Sequence, residues 1–186
     1  GEELFFESPE LKALSDWSRD GRFLLGMLNY DLWVWPRDGN RKPWVFLNTK
    51  FDEVSPHLSP DGRWVSYHSN ESGRYEVYVR PFPGPGAPSQ ISTAGGSTSR
   101  WRPDGRELYY VSLDGKLMAV PIVTQGATLE PGTPMELFQI RNELGGGVVR
   151  GQYAVAPDGR FLVNAPTGDA TSFPITLLLN WKPPAN

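Results

Sequence analysis

The chain has 186 residues, 39% hydrophobic and 12% aromatic, which is enough to bury a core and too apolar for a disordered segment. A net charge of −3 lacks the basic excess of a nucleic-acid binder, and zero cysteines remove disulfides, thiolate chemistry and Cys-based zinc sites. No apolar run approaches the roughly 18 residues that span a bilayer, so neither a nucleic-acid partner nor membrane contact by this segment is expected.

Gly1-Glu2-Glu3 is acidic and does not read as a secretion signal. Residues 2–6, with Leu4-Phe5-Phe6, have the character of an orphan outermost strand. Ser8–Leu14 could form one helical turn, too short to persist alone, and reads as a loop. Beyond it lies a motif that the chain repeats. Trp17-Ser18-Arg19-Asp20-Gly21-Arg22 returns as Leu58-Ser59-Pro60-Asp61-Gly62-Arg63, as Trp101-Arg102-Pro103-Asp104-Gly105-Arg106 and as Val155-Ala156-Pro157-Asp158-Gly159-Arg160. Asp-Gly between apolar runs signals a tight hairpin, because glycine accepts the positive φ that such turns require. Asp20, Gly21, Asp61, Gly62, Asp104, Gly105, Asp158 and Gly159 are therefore structural turn residues, each Asp bonding its own backbone. The arginines next to them are expected to pair with neighbouring repeats or with carbonyls.

The turn Asp residues stand 41, 43 and 54 apart. Periods of about 40–45 residues with four strands per unit are the signature of propeller blades. In the second repeat the strands are read at Ser55–Ser59, Arg63–Ser69, Tyr75–Pro81 and Ser89–Ser92. Pro36, Pro81 and Pro121 recur at the end of the third strand, where a missing N–H closes the ladder. Thr124–Thr133 and Leu144–Gly151 read as loop insertions that lengthen the third interval. The last repeat has strands at Gln152–Ala156, Arg160–Ala165 and Pro174–Trp181, and no fourth. One leading strand, three full repeats and three trailing strands make an all-β propeller of four blades of four antiparallel strands. The expected single domain is 1–186, with blades at about 14–48, 55–92, 98–139 and 152–181, the last completed by the N-terminal strand of its own or a partner chain.

At these repeats the chain resembles the WD40-like PD40 propellers of the TolB type. Ser69-Asn70-Glu71-Ser72-Gly73-Arg74-Tyr75-Glu76-Val77-Tyr78-Val79-Arg80-Pro81-Phe82-Pro83 resembles the sensor region of bacterial membrane-anchored serine/threonine kinases. The resemblance implies an extracytoplasmic, periplasmic setting and a sensor part of a larger receptor. No Gly-rich loop, His-Arg-Asp or Asp-Phe-Gly is present, so kinase activity does not belong to this chain. Propellers of this type usually have six to eight blades. Two chains joined as a homodimeric ring of eight are therefore expected ahead of a closed four-blade monomer.

One residue before the apolar position that precedes each turn, the repeats carry Asp16, His57, Arg100 and Ala154. Repeat-equivalent positions point into one ring, so an acid, an imidazole and a guanidinium at one level could bind a small polar or anionic ligand or a protein, or act as an acid/base group. The alternative is that they satisfy one another. Glu53, Tyr30, Arg74, Tyr75, Arg150 and Gln152 are expected on loops of the same face. No catalytic residue is assigned, because there is no Gly-x-Ser-x-Gly elbow. His57 and His68, eleven apart, make no zinc pattern, and His68 reads as a half-buried sheet residue. A channel calcium held by Asp16, Glu53 and Asn29, as in propeller lactonases, is the hydrolase alternative to a non-catalytic binding module, and a propeller fragment that folds by self-association without a ligand of its own is the third reading. No metal or cofactor is expected.

Overall fold

The computed structural model describes residues 6–37, 42–140, 153–164 and 175–178. Strands β1 (Lys12–Trp17), β2 (Phe23–Leu28), β3 (Asp31–Pro36) and β4 (Trp44–Leu47) form the first sheet in chain order. The second sheet repeats that order with β5 (Glu53–Leu58), β6 (Trp64–Ser69), β7 (Glu76–Pro81) and β8 (Ser89–Gln90). The third holds β9 (Ser97–Trp101), β10 (Glu107–Val111), β11 (Lys116–Gln125), β12 (Thr128–Pro131) and β13 (Met135–Gln139). β14 (Tyr153–Val155), β15 (Phe161–Asn164) and β16 (Ile175–Leu178) make the fourth. Every pairing is antiparallel, and no helix occurs among the described residues.

The sheets pack face to face in sequence order. Leu25, Val34, Leu32 and Leu47 of the first meet Leu58, Val65, Tyr67 and Tyr78 of the second. Trp64, Val77, Val79 and Ile91 meet Trp101, Leu108, Val120 and Ile122 of the third. Tyr109, Val111, Leu117 and Ile140 of the third then meet Tyr153, Phe161 and Val163. A middle sheet is covered on both faces, which is why all six residues of β6 are buried instead of alternating. On the outward face of the first sheet, Phe6 packs on Trp35 with ring centroids 5.5 Å apart, and Leu14 remains 64% exposed.

The repeated turns are longer than a two-residue Asp-Gly hairpin. Gly62 N–H donates to Ser59 O at 2.9 Å, and Ser59 N–H donates to Trp64 O at 2.8 Å, so the loop spans Ser59 to Arg63. Only the glycine has positive φ, at 73° for Gly21, 68° for Gly62, 75° for Gly105 and 84° for Gly159. The aspartate caps the turn. Asp61 Oδ1 accepts from Arg63 N–H and from the Ser59 hydroxyl, and Asp20, Asp104 and Asp158 accept equivalent backbone bonds. Arg22, Arg63 and Arg160 fold back on the aspartate two residues before them at 2.6–2.7 Å, the nearest carboxylate available, and only Arg63 also reaches a neighbouring sheet, at Gly126 O. In the third repeat Asp104 is instead met by Arg102, at 3.4 Å.

Other expectations need correction. The segment before the first turn is not a loop throughout, because β1 begins at Lys12 and pairs with Leu28. Pro36 and Pro81 end their strands but Pro121 does not. β11 leaves β10 there and runs on beside β12, so no ladder N–H is lost at a residue whose carbonyl still accepts from Gly132. The expected loop at 124–133 is thus largely a hairpin, closed by Gly126 (φ 59°) and Ala127 between Gln125 and Thr128. Leu144–Gly151 and most of the proposed N-terminal strand lie outside the described residues, and Phe6 is not in a strand.

Candidate functional site

The inner strands of the first three sheets each carry a β-bulge just ahead of the site residue, whereas β14 pairs in regular register. The register slips between Leu14 and Asp16 in β1, between Val54 and His57 in β5, and between Ser97 and Arg100 in β9. In the last two, Ser55 and Thr98 take φ of 54°, a left-handed conformation that side chains with a Cβ rarely adopt. A bulge adds a residue on one strand and re-aims the side chains beyond it. It gives Asp16, His57 and Arg100 a common orientation that alternation alone does not provide. No glycine marks it, so nothing in the residue types announces it.

The three side chains converge. Arg100 Nη1 donates to His57 Nε2 and, at 2.8 Å, to Ser99 O. His57 Nε2 therefore accepts, and the ring proton sits on Nδ1, which faces Asp16 Oδ2 at 3.9 Å. Asp16 in turn accepts from Leu58 N–H at 2.7 Å and from Trp17 N–H at 2.8 Å. The Trp101 indole donates to His57 O at 3.1 Å, locking β9 to β5. Burial, then the Arg100 charge, holds the His57 imidazole well below its ordinary range and keeps it neutral. Burial pushes the Asp16 carboxyl up, against the two backbone bonds and Arg100. Ala154, the fourth equivalent, is exposed and adds no polar group.

His68 is wholly buried, not half-buried as expected. Its Nε2 accepts from Ser99 N–H at 3.0 Å, so it too is neutral, and burial lowers its pKa to about 3. Ser66 and Ser99 join their hydroxyls at 3.0 Å beside it. This polar seam ties the second sheet to the third.

A cavity of about 170 Å³ opens over the row, lined by Asp16, Trp17, His57 and Arg100 and by Arg19, Ser59 and Pro60 of the turns. Arg19 crosses it to donate to Pro103 O at 3.2 Å, and the Arg37 guanidinium lies 4.6 Å over the Trp17 ring. Arg100 Nε and Nη2 have no acceptor among the described residues. The site thus opens at the Asp-Gly turn end of the inner strands.

The companion residues expected there lie at the other end. Glu53 begins β5, four residues or roughly 13 Å of extended chain from His57. It is spent on Thr49, accepting from its hydroxyl and its N–H, and burial raises its pKa. Tyr30 is exposed in the β2–β3 turn at φ 67°, with Asn29 at 52°. Tyr75 donates to Asp52 at 2.9 Å, and its burial and that carboxylate push it up to about 12. Arg74 pairs with Glu76 at 2.9 Å and donates to Thr93 O. Arg150 and Gln152 lie outside the described residues. Asp16, Glu53 and Asn29 therefore do not form one calcium shell. Among the described residues no three His, Asp or Glu side chains converge as a metal site. Trp17 and Arg19 belong to the pocket, although the repeated motif that contains them speaks for a turn and not for a site. Their nearness to Asp16 along the chain is the one signal that points to them.

Consecutive antiparallel sheets stacked face to face, with polar residues of the inner strands gathered at one level, define a β-propeller fold. No protein-family model and no curated protein sequence matches the chain. Solved structures do match. The chain is similar to a TolB from Agrobacterium tumefaciens, at a TM-score of 0.52 and 19% identity over 71% of this chain and 53% of the other. It is similar to the β-propeller domain of Cps50 (Swd1) from Myceliophteria thermophila, at 0.56 and 17% over 82% and 48%. It is also similar to a gluconolactonase from Xanthomonas campestris, at 0.54 and 15% over 82% and 55%. The chain is thus an all-β, TolB-like and WD40-like propeller in fold, and it spans about half the length of each of these three structures.

Proposed function

We propose that the chain is a non-catalytic, ligand-binding propeller module whose site is the Asp16–His57–Arg100 row, recognising a small anion or an anionic group on a protein. The observation that carries this is the division of labour in the row. Arg100 occupies the one lone pair of the neutral His57 ring, at Nε2, and leaves its proton on Nδ1 facing Asp16 at 3.9 Å, while Arg100 Nε and Nη2 have no acceptor among the described residues and lie on a side chain that lines the cavity. A general base needs an open nitrogen, and a receptor for anions needs open donors. The propeller scaffold and the resemblance to kinase sensor regions support a role as the extracytoplasmic sensor part of a larger bacterial receptor. Isothermal titration with acetate and with inorganic phosphate tests the site. Binding that Arg100→Met weakens roughly 10-fold or more supports it, and no binding to either protein overturns it.

The hydrolase reading has the likeness to a gluconolactonase behind it, at the level of fold. It requires turnover of an ester or lactone panel that His57→Ala abolishes. Closure of the ring is part of the same proposal. Four sheets, a chain that spans about half the length of the matched TolB propeller, and an outward first face with Leu14 64% exposed support two chains forming a ring of eight blades. Light scattering at twice the chain mass of 20.7 kDa supports the homodimer, and a mass of 20.7 kDa favours a closed four-blade monomer.

A further inference from the structure

The cavity over the Asp16–His57–Arg100 row holds open groups of both signs. Arg100 Nε and Nη2 have no acceptor among the described residues. The side-chain nitrogens that are both buried and unpartnered there belong to Trp33, Trp35, Trp64 and His68, and Arg100 is only half-buried. Its two open donors therefore keep accessible surface beside the cavity that the side chain lines.

Asp16 supplies the opposite charge. Its side chain is 28% exposed and lines the same cavity. It accepts from Leu58 N–H and Trp17 N–H, which use two of the about four acceptor sites of a carboxylate and favour its charged form. Among the described residues its one ion-pair neighbour is the His57 ring, which is neutral, so no cation touches it. Arg19, which also lines the cavity, is held away by Pro103 O at 3.2 Å.

The two charges stand on either side of one imidazole. Arg100 sits on Nε2 and Asp16 lies 3.9 Å from Nδ1, a separation on the order of 8 Å. An ammonium and a carboxylate joined through one carbon span that length when each makes a charge-assisted bond of about 2.8 Å. A peptide overshoots it, since each further residue adds about 3.5 Å between the termini. A simple anion on Arg100 faces the Asp16 charge uncompensated, whereas an ammonium beside it turns that repulsion into attraction. The volume of about 170 Å³ is below that of pockets for drug-sized ligands and suits a molecule this small.

We propose that the row binds a free α-amino acid as its zwitterion, with the carboxylate on Arg100, the ammonium on Asp16 and the neutral His57 ring as the spacer. This deepens the anion-binding reading of Arg100 and rests on it.

Titration calorimetry of the purified chain at neutral pH tests this with four probes. Acetate supplies the carboxylate alone, glycine both charges, N-acetylglycine the carboxylate without the ammonium, and diglycine both charges farther apart. Glycine is expected to bind about 10-fold more tightly than acetate, and N-acetylglycine and diglycine no more tightly than acetate. Asp16→Asn is expected to bring glycine and acetate within about 2-fold of each other, and Arg100→Met to weaken both about 10-fold. The four probes on the unaltered chain decide the matter even where Asp16→Asn does not fold. If glycine and acetate bind alike, if N-acetylglycine matches glycine, or if Asp16→Asn keeps the advantage of glycine, the zwitterion proposal falls while Arg100 recognition stands. A diglycine that matches glycine overturns the free amino acid in favour of a peptide. If Arg100→Met weakens neither glycine nor acetate, both readings fall together.

Discussion

Arg100 donates to His57 across two neighbouring sheets, from the end of β9 to the end of β5. A guanidinium has no acceptor, so this bond exists only while the imidazole presents a lone pair. The pairing makes the ring a fixed acceptor that orients the cation. It also puts a permanent positive charge beside two buried histidines, since Arg100 lowers His68 as well as His57.

Acid sensitivity is the consequence of that arrangement. Unfolded histidine takes a proton near pH 6.5, whereas folded His68 takes one at about 3 and folded His57 also lies well below 6.5. Above pH 6.5 both states are neutral and the rings contribute nothing to pH dependence. Below it the unfolded chain gains protons that the folded chain refuses, so stability falls by about 1.4 kcal/mol per pH unit for each ring. Urea denaturation at pH 7, 6, 5 and 4 measures the slope. His68→Gln, whose amide oxygen can still accept from Ser99 N–H, is expected to remove one ring's share below pH 6. Equal slopes for the two proteins would show that His68 does not titrate this way.

In the first two repeats a serine supports the turn beside Asp-Gly, whereas the third closes with the same spacing from Arg102 N–H to Glu107 O. Ser59 is buried, donates to Asp61 and accepts from Trp64 N–H at 3.0 Å, and Ser18 does the same for Asp20 and Phe23. The fourth repeat has Ala156 there, and its turn closes one residue earlier, on Arg160 O instead of Phe161 O. Ser59→Ala is expected to destabilise the fold by about 1–2 kcal/mol, because Trp64 N–H loses a partner without gaining water. The denaturation midpoint reads this out. A loss below about 0.3 kcal/mol would mean that the turn re-closes as it does at Ala156.

Much of this fold is legible in the residues because blade strands are short and the turn chemistry repeats. β5 to β8 fall within about two residues of where apolar runs and turn clusters place them. The convergence of Asp16, His57 and Arg100 is legible for the same reason, since equivalent positions of a repeat share a level. What is hidden depends on non-local geometry. Ser55 and Thr98 adopt left-handed φ without a glycine to betray it. The end at which the site opens depends on how the bulges rotate the inner strands. The β11–β12 extension is masked because Pro121 reads as a stop, although its missing N–H falls where the strand changes partners.

Glu76 organises the opposite end of the second sheet. It is 1% exposed and accepts from the Ser92 hydroxyl, from Gly95 N–H at 2.8 Å and from Arg74 Nε at 2.9 Å. The Arg74 side chain is 53% exposed, so water replaces its half of the ion pair. Arg74→Ala is expected to cost less than about 1 kcal/mol and Glu76→Ala about 2–4 kcal/mol, since the latter strands two buried donors. Equal costs for the two variants would place the stabilisation in the ion pair instead of in the loop that Glu76 anchors.

The bulge at Ser55 ties backbone strain to the site. A left-handed conformation costs an L-residue about 1–2 kcal/mol, and more for a β-branched one, whereas glycine accepts it freely. Ser55→Val is therefore expected to lower stability by about 1–2 kcal/mol, and Ser55→Gly to change it by less than about 1 kcal/mol. Relaxation of the strained bulge would swing His57, two residues on, away from Arg100 and loosen the open guanidinium. Ser55→Val should then weaken acetate binding as well, while Ser55→Gly keeps it. Calorimetry beside denaturation separates the two effects, and a Ser55→Val protein that is destabilised but binds acetate normally would show that the bulge supports the sheet without aiming the site.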